Sequence, residues 1–122
     1  MKYTLKLAAL IFCTSAMHAL TTVTSLTQLQ NIIKTSDSVI VKVSRHDCPP
    51  CQRLAPIFKE FAQENPDYLC VEASASASDI VNAYGIRSVP TLLYFYKGAL
   101  QLKETGFKTK SQLTNTTRTV FK

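Results

Sequence analysis

At 122 residues the chain has room for one domain with one core, and 46% apolar against 18% charged residues excludes a disordered polymer. Fourteen Lys and Arg against eight Asp and Glu give a formal charge of +6, of which Lys2 and Lys6 supply two, leaving a mildly basic remainder. The basic residues are scattered, with no Lys/Arg run and no stripe interleaved with aromatics, which argues against a nucleic-acid partner.

Residues 1–19 read as a signal peptide and residues 20–122 as the domain. Lys2 and Lys6 supply the positive start, Leu7 to Cys13 is an uninterrupted apolar run, and Thr14-Ser15-Ala16 and Ala19 are the small residues that follow. Cleavage after Ala16 fits the small-x-small rule, whereas cleavage after Ala19 puts Met17 at an awkward position. The apolar run is short for a membrane span of ~20 residues, so a membrane contact is expected only if the segment is retained. Bulky Phe12 argues against lipid attachment at Cys13. The expected location is exported: periplasmic or secreted, or the endoplasmic reticulum lumen in a eukaryotic source.

Along the domain, Thr21 to Thr24 is short and β-branched, suited to an edge strand. Ser25 and Gln28 have capping-box spacing and open a helix with Leu26, Leu29, Ile32 and Ile33 on one face. Val39 to Val43 is apolar except for Lys42, the pattern of a buried central strand. From Cys51 onward, Leu54, Ile57, Phe58, Phe61 and Ala62 form one helical stripe, with Pro56 predicting a kink. Tyr68 to Val71 reads as a strand, and Ser76 and Asp79 are placed to cap a short helix ending at Tyr84-Gly85. Thr91 to Tyr96, a Lys97-Gly98-Ala99 turn and Leu100 to Glu104 predict a β-hairpin, ended by Gly106. Thr109 with Gln112 caps a terminal helix that turns Leu113 and Val120 inward. The order β-α-β-α-β-α-β-β-α predicts an α/β fold, a central mixed sheet with helices on both faces.

The chemistry is concentrated at Cys48-Pro49-Pro50-Cys51, at the junction of the central strand and the long helix. About forty residues later, Ser88-Val89-Pro90-Thr91 enters the next apolar run. Once the signal segment takes Cys13 with it, three cysteines remain, and three cannot form a paired structural framework. An active dithiol plus Cys70 is the better description, with Cys70 read as a buried structural thiol or, alternatively, a regulatory or dimer-forming one.

Over residues 21–121 the chain resembles the thioredoxin family. The resemblance is carried by the strand into Cys48-Pro49-Pro50-Cys51, Pro56, Tyr84-Gly85-Ile86, Val89-Pro90-Thr91, Lys97-Gly98 and Gly106. It implies a thioredoxin-like fold, with Cys48 as the attacking cysteine, Cys51 as the resolving one, and a cis Pro90 beside them. It also implies that Val89 pairs with an extended substrate segment through its backbone. The physics agrees for Cys48: a helix N-terminus favours a thiolate. Cys51 one turn on is placed to attack a mixed disulfide. Residue by residue, Pro90 could equally be an ordinary strand-edge proline.

Several positions depart from the family. Asp47 stands where a tryptophan usually precedes the first cysteine, and its charge opposes a Cys48 thiolate. His46 and Arg45 offset that charge if they turn toward the sulfur; otherwise they are a solvated loop. Pro49 removes an N–H that could donate to the thiolate. Lys42 occupies the position of a buried acid linked in the family to proton transfer at the resolving cysteine. Either Lys42 snorkels to the sheet edge, or it is partly buried under the dithiol, favours a Cys51 thiolate and makes the disulfide more oxidising.

The function expected from the resemblance is an exported protein-disulfide oxidoreductase, with a reductase or isomerase favoured over an oxidase because the chain lacks room for an inserted helical domain. It would work without a cofactor, as a monomer, on cysteine-containing proteins, with an unidentified electron donor or acceptor. A non-catalytic binding or chaperone module is the alternative, supported by the missing tryptophan and acid. A soft-metal site at Cys48, Cys51 and His46 is a third reading, disfavoured because a closed zinc site wants four ligands. Covalent haem attachment is excluded because Gln52 follows Cys51.

Overall fold

A computed structural model describes residues 20–122, so the signal-peptide reading of residues 1–19 lies outside the described residues. The element order is β1 (Thr21–Val23), α1 (Leu26–Thr35), β2 (Ser38–Ser44), α2 (Pro49–Glu64), β3 (Leu69–Ser74), α3 (Ser78–Ala83), β4 (Thr91–Tyr96), β5 (Ala99–Thr105) and α4 (Lys110–Val120). The strands form one sheet in the order β1-β3-β2-β4-β5. β1, β3 and β2 run parallel, while β4 is antiparallel to β2 and β5 to β4. The mixed sheet with flanking helices is the expected α/β architecture. No helix among the described residues is long and apolar enough to cross a membrane.

The two-residue period of a strand divides the core. Val39, Val41 and Val43 of β2 join Leu29 and Ile33 of α1 and Ile80 of α3 on one face. Ile40 of β2 joins Leu54, Phe58 and Phe61 of α2 and Leu113 of α4 on the other. By the same alternation Lys42 falls on the α2 face, below the helix that carries the cysteines. Burying a large apolar side chain contributes about 1.5–3 kcal/mol, so the stripe on α2 fixes that helix against the sheet.

Local details differ from the sequence reading where tertiary partners intervene. β3 begins at Leu69 and continues to Ser74, because it is hydrogen-bonded between β1 and β2. Ser25 accepts from the Gln28 N–H, but the Gln28 side chain accepts from Thr24, one residue short of the reciprocal box. Ser76 and Asp79 do not cap α3. Its N-cap is Ala77 with no side-chain bond, Ser76 pairs with Ser74, and Asp79 accepts the Leu26 N–H of α1 at 2.7 Å and the Ile80 N–H at 2.8 Å. Thr109 and Gln112 do complete a reciprocal capping box on α4. The hairpin turn is only two residues, Lys97 at φ 49° and Gly98 at φ 82°, with Tyr96 opposite Ala99. Two positive φ angles give the turn type whose twist matches the strands. α2 continues as one helix past Pro56, which lies on its exposed side.

Candidate functional site

The site forms where β2 ends and α2 begins. Cys48 is the N-cap of α2, in extended backbone, with Pro49 and Pro50 as the first two helical residues. Proline suits a helix start, since its fixed φ is already helical and the N–H it lacks would have had no partner within the helix. Here two consecutive prolines remove two of the amides that would otherwise face the N-cap. The first remaining one, from Cys51, donates to Cys48 Sγ at 3.3 Å, and the Gln52 N–H donates to the Cys48 carbonyl at 3.0 Å. A Cys48 thiolate therefore draws on one helix-terminal N–H. Pro50 adds a second missing donor to the one expected from Pro49.

Cys48 and Cys51 are joined as a disulfide, with Cα atoms 5.2 Å apart. Both are buried, at 6% and 3% exposure. Across from them the Val89–Pro90 peptide bond is cis, and the Val89 carbonyl oxygen lies 3.7 Å from Cys48 Sγ. That loop is held in place by two bonds: the Gly106 N–H donates to the Pro90 carbonyl at 2.8 Å, and the Thr91 hydroxyl donates to the Ser88 carbonyl at 2.7 Å. Pro90 precedes β4, which lies between β2 and β5, so an edge-strand explanation of the proline does not apply.

Asp47 and His46 are exposed on the rim. Arg45 turns toward Asp47, Nε to Oδ1 3.6 Å, which sets a cation against the carboxylate nearest Cys48. Both partners are well exposed, so the pair is screened and weak. His46 contributes its carbonyl, which accepts from the Gln52 side chain at 2.7 Å and ties the loop to α2.

Lys42 does not snorkel. Its side chain is 3% exposed, and its ammonium lies 2.8 Å from Glu72 Oε1 and 5.3 Å from the centroid of the Phe58 ring. Lys42 and Glu72 are direct partners in the parallel register of β2 and β3, so both project to the same face. Together with Ser44, His46, Cys51 and Gln52 they line a cavity of about 390 Å³. Glu72 is 33% exposed and is the end of the pair that reaches solvent. Sequence reasoning found Lys42 but missed Glu72; only the strand register brings the two together.

Cys70 is buried on the α2 face, and desolvation pushes its thiol up to about 12. Such a thiol is protonated and inert at neutral pH, which fits the structural reading.

The thioredoxin family model matches residues 20–119. A thioredoxin of Mycoplasmoides gallisepticum is 35% identical over 92 residues, spanning 75% of this chain and 92% of the relative. One from Acidithiobacillus ferridurans is 38% identical over 87 residues, 69% of this chain and 80% of the relative. In structure, a mutant thioredoxin from Halobacterium salinarum superposes with a TM-score of 0.82 at 24% identity, covering 89% of this chain and 96% of its own. A thioredoxin from Trypanosoma brucei brucei gives 0.81 at 19% identity, covering 88% and 96%. With its Cys48–Cys51 pair at the start of α2, this chain belongs to the thioredoxin family of thiol-disulfide oxidoreductases.

Proposed function

We propose that the chain is an exported reductase of protein disulfides, acting as a monomer. The observation that carries the reading is the Cys48–Cys51 disulfide at the N-cap of α2, beside the cis Val89–Pro90 loop. In the reduced protein the Cys48 thiolate attacks one sulfur of a substrate disulfide, forms a mixed disulfide and expels the other sulfur as a thiolate that takes a proton from water. Cys51 then loses its proton and attacks Cys48 Sγ, releasing the second substrate thiol. Two electrons pass to the substrate, and a dithiol donor outside this chain restores Cys48 and Cys51.

Val89 supplies the backbone against which an extended substrate strand lies, and Pro90 keeps that carbonyl facing the sulfur. Lys42 and Glu72 act on the second step. The Lys42 ammonium favours a thiolate at Cys51, while the Glu72 carboxylate balances most of that charge and offers a solvent-reaching acceptor for the proton. Asp47 opposes a Cys48 thiolate, and its exposed, screened pair with Arg45 offsets only a small part of that effect. Pro49 and Pro50 limit the helix contribution to the single Cys51 amide.

Export is supported by the basic start, apolar run and small residues of residues 1–19. Fusing those residues to a reporter tests it: retention of the fusion inside the cell refutes export. Direction is tested by equilibrating residues 20–122 in defined thiol buffers and trapping free thiols by alkylation. A potential near ~ −270 mV supports a reductase, whereas one near ~ −120 mV refutes it in favour of an oxidase. A pair that never cycles refutes the reaction altogether.

A further inference from the structure

Two cavities besides the one at Cys51 flank residues 85–89, the approach to the cis peptide. One, of about 180 Å³, is bordered by Arg45, Arg87, Ser88 and Val89; the other, of about 470 Å³, by Arg87, Ser88 and Lys103. They share Ile86, Arg87 and Ser88, so Arg87 stands between them. Three cationic side chains border these cavities, and no carboxylate among the described residues does. Arg87 is exposed and makes no ion pair among the described residues. The Lys103 ammonium donates to the carbonyls of Tyr84 and Gly85 at 3.2 and 3.3 Å, which holds its charge against the cavity wall. Arg45 is the one cation here with an acidic neighbour, Asp47 at 3.6 Å.

These charges lie within reach of a substrate. A sulfur bonded to Cys48 must sit beside Val89, whose carbonyl is 3.7 Å from Cys48 Sγ. An extended chain advances about 3.3 Å per residue, so a substrate strand laid along Val89 toward Ser88 and Arg87 would bring side chains one to three positions from its cysteine alongside them. Recesses bordered by one sign of charge concentrate the opposite sign.

We propose that these cavities receive an acidic side chain one to three residues from the substrate cysteine, so that the chain prefers disulfides flanked by Asp or Glu. The proposal rests on the disulfide-exchange reading above and names the substrate class for it.

The test uses the reduced protein and two peptides, each with one cysteine capped as a mixed disulfide with 2-mercaptoethanol. They are identical except for Glu or Lys at the three positions on either side of the cysteine. Neutral hydroxyethyl disulfide is the third probe. Oxidation of the Cys48/Cys51 dithiol is followed by alkylation and mass. At low salt the Glu peptide is expected to react about 3- to 10-fold faster than the Lys peptide. The gap should close at about 0.5 M salt, and Arg87→Glu should abolish or invert it. The ratio is taken within each protein, so a general loss of activity cancels. Equal rates for the two peptides, or a ratio unmoved by Arg87→Glu, overturn the proposal while reaction with hydroxyethyl disulfide leaves the redox reading intact. A dithiol inert to all three probes overturns both.

Discussion

Replacing Lys42 by methionine removes a buried charge while keeping an unbranched chain over the Phe58 ring. At 2.8 Å the gross attraction between Lys42 and Glu72 is about 6 kcal/mol at an effective dielectric near 20. Most of that is offset by the desolvation of the ammonium. Deleting one partner of a fully buried pair costs about 3–5 kcal/mol, because the other charge is left without compensation. Glu72 is 33% exposed and borders an open cavity, so its stranded carboxylate can reach water. The expected loss for Lys42→Met is accordingly smaller, about 2 kcal/mol. In urea unfolding of the oxidised protein this moves the midpoint down by roughly 1 M. Lys42→Met with Glu72→Gln should recover more than half of the loss, because neither charge remains. The single substitution also leaves an anion facing the cavity at Cys51, so resolution of the mixed disulfide slows and the redox potential becomes more negative. A single variant as stable as the parent, or a double variant no better than the single, would refute the ion-pair reasoning. An unchanged potential and turnover would remove Lys42 from the mechanism.

Three other outcomes follow from local geometry. An N-cap side chain accepts from the second or third helical amide. Pro50→Ala supplies the missing second donor, so the thiolate absorbance of the reduced protein should appear at lower pH and Cys48 alkylation at pH 7 should quicken about threefold; unchanged titration would count against the single-amide account. Burial raises Cys70 from 9.0 to about 12, and Tyr94 is also raised by burial and then by Glu104. The folded protein therefore holds more protons than the unfolded chain above pH 9, and its stability should fall as pH rises from 9 toward 12. Cys70→Ala should flatten part of that slope, and Cys70 should resist alkylation until the protein is unfolded. Gly98 has φ 82° with nothing within 4 Å of an added Cβ, so Gly98→Ala should cost about 1 kcal/mol through backbone strain alone. A neutral result would show that the turn can change type.

The fold was legible wherever one residue's periodicity answers to one layer of the core. The apolar run of β2, the stripe on α2 and the Thr109/Gln112 cap are local patterns, and each has its expected place. What escaped depended on residues far apart in the chain. Glu72-Ala73-Ser74 lacks an apolar run, yet it is strand because β2 pairs with all three residues and β1 with Glu72 and Ala73. Asp79 has the spacing of a cap for α3, but its carboxylate is drawn instead to the amide of Leu26, 53 residues earlier. At the site, the Cys48/Cys51 spacing is a local pattern, but the roles of the two cysteines and of Pro90 rest on the family resemblance, and the cis Val89–Pro90 bond is visible only in the fold. Glu72 is not legible in the sequence, because its partner Lys42 is thirty positions away and only the parallel register aligns them. Thr117 is likewise a polar residue that α4 can bury because its hydroxyl donates to the Thr114 carbonyl one turn back.

The paired prolines after Cys48 also make the dithiol readable by spectroscopy. Positions 49 and 50 contribute no amide proton, so the Cys51 N–H is the first exchangeable hydrogen of α2 and is directed at the Cys48 sulfur. Its resonance and its exchange rate with deuterated water therefore follow the charge and bonding of that one atom. Disulfide, mixed disulfide, thiol and thiolate should each give a distinct signal, from a native probe within the reaction centre.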